Sequence, residues 1–133
     1  MKKNLRSVTI IEGAVGSGKS RQILNEYRKN VKSSACMLIT FEENFQNKIP
    51  VEEVNAHIGN VYTPIGSFQT MDKLIVSINN SIDKHNIDHV YIDMIALGIR
   101  KLYRPDEIFK GIYQINASVT TTIQMNRTRP SAS

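Results

Sequence analysis

The residues Gly13-Ala14-Val15-Gly16-Ser17-Gly18-Lys19-Ser20 stand between a β-branched run, Ser7 to Glu12, and a stretch with apolar residues at helical spacing, Ile23, Leu24, Tyr27 and Val31. This junction constrains the fold more than any other feature, because a buried strand, a glycine turn and a helix must follow one another. The octapeptide satisfies the pattern GxxxxGK[ST] in full. Its glycines let backbone N–H groups approach and surround phosphate oxygens, and the following helix N-terminus presents unpaired donors and partial positive charge to them. On this reading Gly13, Gly16, Ser17 and Gly18 shape the cradle, Lys19 reaches the β- and γ-phosphates, and Ser20 helps hold Mg²⁺.

The rest of the chain continues the alternation. Ala35 to Phe41 reads as a strand covered on both faces, since its apolar run is nearly continuous. Pro50 to Ile58 reads as a short helix stopped by Gly59, and Val61 to Thr63 as a short strand. From Ser67 to His85, Phe68, Met71, Leu74, Ile75, Ile78 and Ile82 line one helical face, with Ser67 available as N-cap. His89 to Asp93 is the next strand, Pro105 to Asn116 a further helix, and Ala117 to Gln124 a last strand. Such alternation implies an α/β fold, a three-layer parallel sheet with helices on both faces, whose ligands bind beyond the carboxyl ends of the strands.

With 133 residues, 41% of them hydrophobic and 22% charged, the chain suits a single domain over 1–133 and excludes disordered, collagen-like and coiled-coil classes. A domain of this size buries roughly two thirds of its unfolded surface without disulfide or metal staples. The one cysteine, Cys36, sits in an apolar run and reads as a core residue in a reducing compartment. Neither a cleavable leader nor a membrane-length apolar run is visible, so the expectation is a cytoplasmic protein with no membrane partner. His57, His85 and His89 lack metal-ligand spacing.

A nucleotide-bound Mg²⁺ needs a carboxylate opposite the serine, and Val90-Tyr91-Ile92-Asp93 supplies one at a strand end. Met94 follows it, so no glutamate adjoins this aspartate. The second strand ends in Thr40-Phe41-Glu42-Glu43, which brings two carboxylates to the same sheet edge, where one can orient or deprotonate a water. Net charge is +5, and residues 95–133 carry +4 of it, six bases against two acids. That stretch reads either as solvated surface or as a patch for phosphates or nucleic acid.

Together these motifs resemble the RecA-like ATPases, and within them the branch of the replicative hexameric helicases and the clock protein KaiC. Ile39-Thr40-Phe41-Glu42-Glu43 is similar to the strand that carries the paired glutamates of KaiC-like proteins, and Ile123-Gln124-Met125-Asn126-Arg127, followed by Arg129-Pro130, resembles the helicase segment Gln-Leu-Asn-Arg. The resemblance implies a P-loop NTPase (RecA-like) core, ATP and Mg²⁺ as cofactors, and Ser20 and Asp93 at the metal. It further implies Glu42 as first choice for the catalytic base, Glu43 as second, and Gln124 as sensor of the γ-phosphate. Arg127 and Arg129 become candidate contacts to nucleic acid or to nucleotide on a neighbouring subunit. The stretch Gly98 to Arg104, with Arg100 and Tyr103, falls where the family places another nucleic-acid-facing loop. RecA-like motors continue past the glutamine strand, whereas this sequence has six residues after Arg127.

Three function classes follow. The first is a Mg-dependent ATP-binding protein and ATPase, possible as a homo-oligomer on single-stranded nucleic acid. The second is a nucleotide-dependent regulatory module that docks on a larger ATPase complex and turns over little. The third is a small nucleotide or metabolite kinase, for which Arg100 to Arg104 would have to serve as lid; Glu42, Glu43 and Gln124 suit attack by water better.

Overall fold

The computed structural model describes residues 6–14, 18–41 and 59–124. Five strands, β1 (Val8–Gly13), β2 (Cys36–Thr40), β3 (Gly59–Tyr62), β4 (His89–Ile92) and β5 (Ser118–Gln124), form one sheet in the order β1-β5-β4-β2-β3. Every neighbouring pair is parallel. The carboxyl ends of all five strands therefore share one edge, and β5 lies between β1 and β4. Among the described residues three α-helices accompany the sheet: α1 (Lys19–Asn30), α2 (Met71–His85) and α3 (Pro105–Ile112). The helix predicted over 50–58 lies outside the described residues.

Side-chain alternation gives the sheet two different cores. Ile23, Leu24, Tyr27 and Val31 pack on Cys36, Leu38 and Tyr91 on one face. On the other, Leu74, Ile75, Ile78, Ile82, Ile108 and Ile112 cover Met37, Ile39, Val90, Ile92, Val119 and Ile123. Helices thus pack on both faces of the sheet, as the buried, non-alternating β2 demands. No helix among the described residues is long and apolar enough to cross a membrane. Cys36 is buried, and desolvation, reinforced by the nearby Asp88 charge, pushes its thiol up to about 11, which suits an inert core residue.

Helix ends are set by local chemistry with two departures from the expected boundaries. Helix α2 starts at Met71, where Thr70 Oγ1 accepts the Lys73 N–H at 3.3 Å, and not at Ser67. Phe68 pairs with Ile99 as an isolated parallel bridge, which takes it out of the helix, and the Ser67 hydroxyl donates to the Pro64 carbonyl instead. Helix α3 opens with Pro105 and with Glu107 Oε1 accepting the Arg104 N–H at 2.9 Å, but it ends at Ile112, short of the expected Asn116. Asn79 of α2 takes over there, donating to the Gln114 carbonyl at 3.1 Å and accepting the Asn116 N–H at 2.8 Å.

Candidate functional site

At the carboxyl edge of the sheet, β1 ends at Gly13, and α1 starts from Gly18, whose φ of 87° is a backbone conformation that favours glycine. Among the described residues, a Cβ built at Gly18 would meet nothing within 4 Å beyond its chain neighbours. A glycine N-cap brings no side-chain oxygen to the first-turn donors of α1, and that turn contains no acid. The helix therefore presents N–H groups and about half a positive charge toward this edge. Gly16 and Ser17 lie outside the described residues. Lys19 is 92% buried, and its Nζ donates to the Ala14 carbonyl at 2.8 Å, so the ammonium lies along the turn and not in bulk solvent.

Ser20, one residue on, faces β4. Its hydroxyl donates to Asp93 Oδ1 at 2.9 Å, bringing together two residues 73 positions apart. Asp93 is 1% exposed, at the first position beyond β4, and its N–H is held by the Ile39 carbonyl of β2 at 2.9 Å. Asp93 is followed by Met94 in the left-handed region, φ 59°, which turns the chain into a short 3-10 turn over Ile95–Gly98. Such a conformation costs a non-glycine residue about 1–3 kcal/mol and persists only where its surroundings over-determine it.

Part of that determination comes from a residue that sequence reasoning missed. Thr122, fully buried on β5, donates from Oγ1 to Asp93 Oδ1 at 3.2 Å and accepts the Met94 N–H at 2.6 Å. Its neighbours are engaged too. Thr121 donates to the Ile92 carbonyl at 2.9 Å, and Thr120 Oγ1 lies 2.8 Å from His89 Nε2. The available signal was Thr120-Thr121-Thr122, three consecutive hydroxyls in a strand otherwise fit for a core, each of which must find a partner once buried.

Gln124, two residues beyond Thr122, shares its face of β5 and pairs in register with Gly13. It is exposed, at the end of the strand that separates β1 from β4. Glu42, Glu43, Arg127 and Arg129 lie outside the described residues. The structure does not bring Arg100 to the Ser20–Asp93 pair: its Nε donates to the Gly66 carbonyl at 2.6 Å and its N–H to the Phe68 carbonyl at 2.8 Å. Tyr103, a stacking candidate, is half-buried and uses its hydroxyl to accept the Met71 N–H at 3.1 Å. That contact serves the start of α2.

Chemically, the edge offers an ammonium, a helix N-terminus, a hydroxyl and a carboxylate. The first two suit an anion, and the last two are hard oxygen donors of the kind a small divalent cation takes. Among the described residues no three His, Cys, Asp or Glu side chains converge on one point. A magnesium ion carried on a polyphosphate needs only one or two protein ligands, so Ser20 and Asp93 fit that mode of binding and not a closed protein cage. No protein-family model matches the chain, and no curated protein matches it.

Proposed function

We propose that this protein binds Mg·ATP at the Gly13–Ser20 turn and hydrolyses it, as an ATPase of the RecA-like kind. The observation that carries the reading is the 2.9 Å hydrogen bond between Ser20 and Asp93. It unites the two halves of a GxxxxGKS and strand-end aspartate pairing at the sheet edge where α/β proteins bind ligands. Lys19 would leave the Ala14 carbonyl for the β- and γ-phosphate oxygens, exchanging a neutral acceptor for charged ones. The α1 N-terminus supplies further donors to the same oxygens. Ser20 and Asp93 would hold Mg²⁺, which when bound neutralises charge developing on the transferred phosphoryl group.

Glu42 and Glu43 immediately follow Phe41 in the sequence. They are the proposed groups for orienting or deprotonating the attacking water, Glu42 first. Gln124, level with Gly13, is the proposed sensor of the γ-phosphate.

The test is ATP binding and turnover by the purified protein, with and without single-stranded DNA. Lys19→Ala removes a charge-assisted contact, so Kd should rise by roughly tenfold to a hundredfold, about 1.5–3 kcal/mol. Glu42→Gln should bind normally and turn over more slowly. Unchanged binding and turnover in both variants would sink the reading. Tight binding with negligible wild-type turnover would assign a regulatory module instead, and phosphate transfer only to an added metabolite would assign a kinase.

A further inference from the structure

Among the contacts that grip Asp93 are the Ser20 hydroxyl of α1, the Ile39 carbonyl of β2 and the Thr122 hydroxyl of β5. These grips differ in what the nucleotide reading asks of them. Ser20 must turn its oxygen to the cation, and Ile39 holds only the backbone. Thr122 has no such competing task. It is 0% exposed, and its hydroxyl carries one proton, given to Asp93 Oδ1, while a lone pair takes the Met94 N–H. One side chain thereby fixes both the carboxylate and the strained φ 59° residue immediately after it. Valine would fill the same β-branched space in the strand and make neither bond.

We propose that Thr122 is the positioning residue of the metal site, orienting Asp93 toward Mg²⁺ without touching the ion or the nucleotide. The proposal rests on the Mg·ATP reading above and adds the residue that sets its affinity for the cation. Outer-shell partners of a metal-ligating carboxylate commonly contribute 10–100-fold in metal affinity. Because β5 also carries Gln124 on the same face, a displacement of this strand would reach Asp93 and Gln124 together.

The experiment compares wild type, Thr122→Val and Thr122→Ser, following a fluorescent ATP analogue while Mg²⁺ is titrated, and by NMR the hydrogen exchange of the Met94 amide in nucleotide-free protein. Thr122→Val should bind the analogue in EDTA like wild type, need about 10–100-fold more Mg²⁺ for half-saturation, and expose the Met94 amide to faster exchange. Thr122→Ser, which keeps the hydroxyl, should restore both. A wild-type Mg²⁺ midpoint in Thr122→Val overturns this proposal and leaves the nucleotide reading standing. A wild-type protein that binds no ATP at any Mg²⁺ concentration overturns both. Should Thr122→Val fold poorly, Thr122→Ala against Thr122→Ser isolates the hydroxyl, and equal Mg²⁺ midpoints in that pair count against the proposal.

Discussion

The two faces of the sheet differ in chemistry although they share the same strands. On the α2 and α3 side, β2, β4 and β5 present Met37, Ile39, Val90, Ile92, Val119 and Ile123, with buried Thr121 among them, its hydroxyl donated to the Ile92 carbonyl. On the α1 side the same three strands present Cys36, Leu38 and Tyr91 together with His89, Thr120, Thr122 and Asp93. Period-two alternation makes this separation possible, since each strand writes one message on each face. The mainly apolar face supplies burial energy, with the Thr121–Ile92 hydrogen bond kept inside the sheet. The mixed face supplies directional bonds, and these aim the Ser20–Asp93 pair at the carboxyl edge.

Substitutions can break the comparison. Leu74, 1% exposed on the inner side of α2, belongs to the mainly apolar face, and Leu74→Ala should cost about 2–5 kcal/mol of unfolding free energy in denaturant titration while leaving the Mg²⁺ dependence of nucleotide binding intact. A shift in that dependence in still-folded protein would show that the faces are coupled. Gly98→Ala probes the seam between the end of β2 and the turn after Asp93. A Cβ there would stand 2.3 Å from Cζ of Phe41, a ring 1% exposed, so overpacking should cost about 1–3 kcal/mol. Wild-type stability in that variant would mean the ring yields more freely than its burial implies.

The smallest effect sharpens the mixed face. His89 stacks on Tyr91, centroids 4.2 Å apart at 8°, and burial lowers its pKa from the ordinary value. An unfolded chain therefore takes up the proton first as pH falls through about 6.5, while the folded chain resists. Stability attributable to His89 is full above that value and declines below it, until the folded group titrates as well. His89→Gln should flatten the melting-temperature profile between about pH 7 and 5. An unaltered slope would remove His89 from the acid response. Tyr91 beside it is held up at about 12 by desolvation, partly offset by the hydrogen bond from Asn30, and so stays neutral throughout.

What could be read from the sequence was local. Gly13 to Ser20 announces a strand, a turn and a helix because glycine conformation and helix-end donors are properties of neighbouring residues, and β2, β4 and β5 lie within a residue or two of the stretches expected. The start of α2 was not legible, because Ser67 and Thr70 are both good N-caps and the choice depends on Phe68 meeting Ile99, 31 positions away. The end of α3 was hidden likewise, since Ile115 continues the apolar pattern while Asn79 of another helix ties down the turn. Thr122 escaped notice for a different reason. Threonine is an ordinary strand former, and nothing local tells a hydroxyl that merely fits from one that holds Asp93.

The central claim, that the carboxyl edge holds a magnesium nucleotide, is tested most directly by titrating Mg·ATP into the isotope-labelled protein and following its amide resonances. The account predicts shifts at Gly18, Lys19, Ser20, Asp93 and Gln124, with Asn79, Gln114 and Asn116 at the opposite end of the strands unmoved. It also predicts that Lys19→Ala needs roughly 10–100-fold more Mg·ATP to reach them. The opposite end has a cavity of about 220 Å³ lined by Arg6, Val8, Tyr113, Ile115 and Ala117. Shifts confined to those residues, or none at all, would contradict the account.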